Sequence, residues 1–386
     1  MKLQQIILVV IISLSSVSID TAQVSQSVIC GKVVNWPTDT IYLQTMPFYS
    51  PFSSEIKFQT LSKDSTFNFE LENKDIPWVI QLYSKKVYVE MNREQLLTLN
   101  YTNDFYYGHC IKFYTYSANT FLLEPNHVLE IELKCNRTFE KLSPEMAESY
   151  RLAGGTILDN NMIEQFNETN IQFTGENPFQ YEYFQKTFNL QDKVDNRLEL
   201  YENGPIEKAI ESYAKIRKKL LDNLEVKKEK LSPTFYEYIK AEIEFGARVE
   251  FLKYLMFSYL DEENESLNSF YSNEIPEEIM DIIEFDKNQI TPVVLASEAY
   301  NKYLELYLNF KMNIQNKKYS AYNEFSMQKC KTAISELPKE SAYYYLSGQL
   351  LQTLRTEDFV EDLVIATIKA FPEGELNDKL MEKYDL

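Results

Sequence analysis

Between Phe166 and Phe184 the hydrophobic pattern of this chain changes period, and that switch restricts the fold more than any other feature. Upstream, apolar and polar residues alternate in short runs, the spacing of strands with one buried face. Downstream, apolar residues recur every three or four positions, the spacing of amphipathic helices. Gly175, Asn177 and Pro178 punctuate the change, since each disfavours continuation of a regular element. The expected fold class is therefore α+β: an N-terminal antiparallel β-sandwich-like domain followed by an α-helical bundle or array. At roughly 100–200 residues per domain, a chain of 386 residues accommodates both parts. The expected boundaries are 1–22 for an export signal, 23–142 for the β-rich domain, 143–175 for a connecting segment and 176–386 for the helices.

Within the first part, Val28–Val34, Asp39–Leu43, Ser54–Leu61, Thr66–Leu71, Val79–Leu82, Lys86–Glu90, Leu96–Tyr101, Ile111–Tyr116, Asn119–Leu123 and Val128–Leu133 read as strands. Lys63-Asp64-Ser65 and Glu124-Pro125-Asn126 supply turn residues between them. Short strands at close spacing separated by turn signals point to a sandwich or open barrel. Ser143-Pro144-Glu145 has the cap-plus-proline layout of a helix start, so a short helix is expected within Ser143–Ile163. In the second part, Ile206, Ala209, Tyr213, Ile216, Leu220 and Leu224 form one stripe. Ser232-Pro233 opens the next helix, and Ile275-Pro276-Glu277-Glu278 opens a third, with acids at the positive end of the helix dipole. Ala296–Phe310, Tyr319–Leu337, Glu340–Leu354 and Asp358–Phe371 are four more.

Composition excludes several function classes. With 44% hydrophobic and 25% charged residues, the chain is an ordinary globular protein. Its 28 tyrosines and 24 phenylalanines supply core material that a disordered chain lacks. A net charge of −19 opposes binding to nucleic acid or to an anionic membrane surface. Met1-Lys2, the apolar run Ile6–Ile12 and the small and polar residues up to Ala22 have the layout of a secretory signal. That run is too short to span a bilayer. Ile29 before Cys30 is too bulky for lipoprotein processing. The expectation is an exported protein, periplasmic or at the cell surface, with no membrane span after signal cleavage.

Motifs with chemistry are scarce. The four cysteines, Cys30, Cys110, Cys135 and Cys330, include no Cys-x-x-Cys pair. In an oxidising compartment, Cys110 and Cys135 are the candidate disulfide if their strands are neighbours; buried thiols are the alternative. The two histidines, His109 and His127, are too few for a three-histidine metal site and lie in no His-Glu-x-x-His pattern. Gly-x-Ser-x-Gly is absent, and Gly154-Gly155-Thr156 has no Gly-Lys-Ser/Thr after it, so it is no phosphate loop. Glu237, Glu242 and Glu244 lie close along one helix, where a solvated acidic face explains them better than a catalytic pair. No catalytic, cofactor-binding or metal-binding residue is assigned, and no cofactor is expected.

The order of these features resembles a known family. Cys30-Gly-Lys-Val-Val34, Ser65-Thr-Phe-Asn-Phe-Glu-Leu71, Phe121–Leu133 and Phe173-Thr-Gly-Glu-Asn177 lead into helices at Leu295–Leu308, Leu337–Leu354 and Ile368-Lys-Ala-Phe-Pro372. This is similar to the exported TlpA-like thiol–disulfide oxidoreductases of Bacteroidetes-type bacteria, in which a small β domain of unknown function and a helical middle precede a thioredoxin-like domain. The family's Cys-x-x-Cys has no counterpart here, so the resemblance carries over no catalytic residue. It implies a scaffold that acts through binding or assembly, with another exported protein, such as a separate thioredoxin-like one, as the partner. A redox accessory using Cys330, and a protein binding a small ligand or glycan between its two halves, are the competing expectations. The hinge, together with exposed Tyr and Phe of the helices, is the expected binding surface.

Overall fold

The computed structural model describes residues 26–36, 38–45, 56–72, 77–83, 86–90, 110–114, 117–144, 147–148, 151, 159–186, 206–258, 270–271, 275–318, 320, 326–352 and 360–386. The export segment 1–22, the expected strand Leu96–Tyr101, His109 and the Gly154-Gly155-Thr156 run lie outside the described residues, as does the side chain of Cys110.

Two four-stranded sheets make the first half. One has the order β10-β9-β1-β4, from β1 (Ser27–Val34), β4 (Thr66–Leu71), β9 (Val128–Lys141) and β10 (Met162–Gly175). The other has the order β3-β2-β5-β8, from β2 (Thr40–Thr45), β3 (Ile56–Thr60), β5 (Trp78–Tyr83) and β8 (Ser117–Leu123). A separate ribbon pairs β6 (Lys86–Glu90) with β7 (Cys110–Tyr114). Alternation decides which side of each strand is inside: Phe67, Phe69 and Leu71 are buried while Thr66, Asn68 and Glu70 between them are exposed. Ile41, Leu43, Ile80 and Phe121 join Ile29, Phe67, Leu129 and Ile131 in one apolar core shared by the two sheets, the arrangement of a sandwich.

Among the described strands the pairing is antiparallel with one departure. β1 runs parallel to β9, with Val28 opposite Val128 and Val34 opposite Lys134. The chain leaves one sheet at the end of β8, turns at Glu124–Asn126 and enters the other beside β1, so no hairpin dictates direction there. Gly31 permits this contact: a Cβ on it would collide with the carbonyl oxygen of Ile131.

The sheet also runs further than its sequence suggests. β9 and β10 form a 14-residue ribbon with a bulge between Glu168 and Asn170. Positions 144, 147, 148 and 151 are helical, as expected from Ser143-Pro144, but Met162–Gly175 is a strand of the β half rather than a connector. The period change is confined to Gly175–Pro178. Gly175 has φ 87° and Asn177 φ 47°, values that Gly and Asn tolerate best. Helix α1 follows at once over 178–186.

The helical half comprises α2 (Ile206–Glu225), α3 (Pro233–Lys253), α4 (Glu277–Ile283), α5 (Pro292–Leu295), α6 (Glu298–Asn316), α7 (Met327–Glu336), α8 (Lys339–Gln352), α9 (Val360–Ala370) and α10 (Asn377–Tyr384). Ser232 caps α3 by accepting from the Phe235 N–H, with Pro233 in the first turn. Thr291, Ser297 and Ser326 cap α5, α6 and α7 in the same way. α3 lies centrally, packed against α2 and α6. α10 was not expected from sequence. Among the described residues no helix is long and apolar enough to cross a membrane.

The tyrosine stripes turn inward. Tyr238, Tyr300, Tyr303 and Tyr307 are fully buried, and Tyr300 and Tyr303 pack on Phe245 with ring centroids 4.6 and 5.2 Å away. The expected binding surface on helical aromatics is therefore core at these positions.

Candidate functional site

The joint between the halves is packed rather than cleft-like. Phe173, the last aromatic of β10, stacks on Tyr181 of α1 at 5.6 Å, and Tyr181 meets Phe235 of α3 edge-on at 5.1 Å. At its polar end lies Glu124, from the turn after β8 and only 6% exposed. Its carboxylate accepts from Gln180 Nε2 at 2.9 Å and from the Ser232 hydroxyl. Ser27 Oγ donates to the Glu124 carbonyl at 3.0 Å and accepts from Asn126 N at 3.1 Å, which fixes the turn. One carboxylate thus ties the β half to α1 and to the cap of α3. His127 stands beside it, with Nδ1 3.8 Å from Glu124 and Nε2 3.5 Å from exposed Glu176. Glu124→Ala removes the acceptor of the buried Gln180 amide and of the half-buried Ser232 hydroxyl and is expected to cost about 1–3 kcal/mol. Trp36 and Trp78 report the sandwich by fluorescence and circular dichroism reports the helices, so a melt followed by both probes checks it; an unchanged midpoint contradicts the role.

The carboxylates of α3 are each used separately. Glu244 accepts from Arg217 Nε and Nη2, both at 2.6 Å, and from Arg248 Nη1 at 3.1 Å. Burial raises its pKa, but the hydrogen bonds and charges of both arginines outweigh that and hold it low. Glu237 accepts from Thr291 Oγ1 at 2.5 Å. Glu242 is buried and takes the Glu298 N–H, at 2.7 Å, at the start of α6. This is not the solvated face expected from sequence, nor does it gather two acids around a substrate position. No group of three or more metal-ligating side chains occurs among the described residues.

Of the described thiols, Cys135 and Cys330 are buried and Cys30 is half-buried. Cys330 of α7 is fully buried, 4.0 Å from Thr367 Oγ1, and burial pushes its thiol up. Cys30 is shifted upward too, by burial and then by the charge of Glu130. Cys135 is buried in β9, which pairs with β1 and β10, whereas Cys110 opens β7, which pairs with β6. Because the thiolate is the reactive form, Cys330 in the folded protein is expected to react with a maleimide at neutral pH about tenfold or more slowly than free cysteine. Rapid labelling would revive the redox reading.

An accessible groove lies elsewhere, where the edges of the two sheets meet. β3 and β4 flank an open groove of about 450 Å³ lined by Lys57, Phe58, Gln59, Asn68, Phe69 and Glu70, a size within the roughly 300–1,000 Å³ of small-ligand sites. Phe58 is 72% exposed, the most exposed aromatic among the described residues. Its ring is backed by a row across the outer side of the sheet: Phe58 to Tyr42 at 6.0 Å, and Tyr42 stacked on Tyr83 at 5.2 Å. Lys57 and Gln59 point to the other side of β3 and grip the edge of β4. Lys57 Nζ donates to the Glu70 carbonyl at 2.5 Å, and Gln59 Oε1 accepts from Asn68 N at 2.8 Å. Sequence reading placed a strand here without singling out Phe58. The available signal was Thr40-Ile-Tyr-Leu43, apolar on both faces where a sandwich strand needs only one.

No protein-family model, no curated protein and no solved structure matches this chain.

Proposed function

We propose that this is an exported, non-catalytic binding or assembly protein whose contact surface is the β3–β4 groove around Phe58. The observation that carries the reading is that ring: exposed, yet braced by Tyr42 and Tyr83. A large rigid aromatic offers contact area at little entropic cost, the usual character of a binding anchor. Export rests on the charged, apolar and small-residue layout of Met1–Ala22. The assembly version of the proposal takes another exported protein, thioredoxin-like by the family resemblance, as partner. The absence of converging acids in α3 and the raised thiols of Cys30 and Cys330 favour binding over catalysis or a redox accessory.

The test is a binding panel of neutral oligosaccharides, synthetic peptides and an exported thioredoxin-like protein, offered to wild type and to Phe58→Arg. Because Phe58 is exposed, the variant should keep its melting temperature. At least one panel member is expected to bind wild type and to lose about tenfold or more in affinity with the variant. If none binds, or if both proteins bind alike, the surface is not the site.

A further inference from the structure

We propose that the β3–β4 groove binds a neutral carbohydrate, one sugar ring lying on Phe58 and its hydroxyls reaching the exposed side chains of Asn68 and Glu70. The inference rests on the reading of this groove as the contact surface and names its ligand class. A pyranose has an apolar C–H face and a rim of hydroxyls. The groove has the complementary division: one exposed, braced ring beside two side-chain amides and one charge of each sign. Lys57 and Glu70 offset each other locally, although the chain as a whole carries −19. A strongly anionic or cationic ligand therefore finds no matching field, whereas a neutral polar one loses little on entering.

Two other occupants fit less well. An extended peptide adding to the sheet needs the outward backbone groups of an edge strand. On β4 those at Asn68 N and Glu70 O are already taken by Gln59 and Lys57, which blunts the edge. A wholly apolar ligand needs a deep pocket, and Phe69, the other ring in the lining, is 4% exposed and belongs to the core. What remains is a ligand that is flat and apolar on one side and hydroxylated around its rim. Glu70 provides an acceptor and Asn68 both kinds of group, a mixture suited to hydroxyls that donate and accept at once.

The experiment is isothermal titration of the full chain with linear neutral oligosaccharides (a glucan, a mannan and a xylan hexamer) and with a neutral extended peptide as comparison. Phe58→Ala, Phe58→Trp and Asn68→Ala are measured alongside wild type. The expected result is binding of at least one sugar, about tenfold weaker in Phe58→Ala and retained or improved in Phe58→Trp. Asn68→Ala should weaken it severalfold with the melting temperature unchanged, because that side chain is exposed. If the peptide binds through Phe58 and no sugar does, the carbohydrate assignment is overturned while the contact surface stands. If nothing binds, both fall. Sugar binding that ignores Phe58 also overturns the assignment, since the ring would then not be the platform.

Discussion

Glu305→Ala is expected to lower the unfolding free energy by about 1–3 kcal/mol, because it takes a charged hydrogen-bond acceptor away from a buried ammonium. Lys329 of α7 is only 2% exposed, and its Nζ lies 2.5 Å from Glu305 Oε1 of α6. The Tyr345 hydroxyl of α8 donates to the other oxygen of the same carboxylate, and Asn309 Nδ2 approaches Oε1 at 3.5 Å. Glu305 therefore joins three helices through one group, and its removal takes an acceptor from an ammonium and from a hydroxyl together. The double variant Glu305→Ala with Lys329→Met should recover a large share of the loss, since removing both charges eliminates the desolvation cost as well as the attraction. Urea melts followed by far-ultraviolet circular dichroism measure both. An unchanged unfolding free energy for the single variant would contradict this role of Glu305.

Stability should also fall as pH rises from about 4.5 to about 7, and Glu242 is the cause. Its side chain is 5% exposed, with Oε1 accepting from the Glu298 and Ala299 N–H groups at 2.7 and 3.4 Å. Oε2 has no hydrogen-bond partner, and neither does the buried hydroxyl of Tyr238 one turn earlier. Burial, then the charge of Glu298, raises the Glu242 pKa from 4.5 to about 7, against the lowering pull of Ser297 and the two N–H groups. An acid whose pKa is higher folded than unfolded binds more protons in the folded state across that interval. Its contribution is complete below about pH 4.5 and is lost as pH approaches the folded value. At about 1.4 kcal/mol per pKa unit, the loss is on the order of 3 kcal/mol. Glu242→Gln keeps an acceptor for the start of α6 and cannot ionise. It should flatten this part of the pH profile and be more stable than wild type at pH 8. A variant profile parallel to that of wild type would remove Glu242 from the account.

Much of this architecture was legible because local pattern and tertiary structure agree. Thr66–Leu71 alternates in sequence and alternates in burial. Ser232-Pro233 reads as a helix start, and Ser232 is observed as the cap. What escaped reading depends on distant partners. Met162–Ile171 carries too many polar residues to alternate, and becomes a strand because β9 offers a ladder along its whole length. The parallel alignment of β1 with β9 is set by residues about 100 positions apart in the chain, beyond any local signal. The helical stripes located the tyrosines, but a stripe cannot say how many layers cover it, and here Tyr300, Tyr303 and Tyr307 are fully enclosed.

The proposed contact surface was less legible still. Aromatic residues are abundant throughout, so Phe58 is distinguished only by exposure, which depends on its place on an edge strand. The joint around Glu124 shows the opposite case. Its turn was readable from Glu124-Pro125-Asn126, yet the role of the carboxylate follows from Gln180 and Ser232, 56 and 108 residues away.

The central claim is that this protein acts through the β3–β4 groove while the joint between its halves serves as a packed support. Amide hydrogen exchange with and without a bound member of the panel tests it most directly. The account predicts ligand-dependent protection over Ile56–Thr60 and Thr66–Leu71, with no change at Glu176–Lys186 or Lys230–Tyr238. Protection centred on those joint segments, with β3 and β4 unaffected, would contradict it.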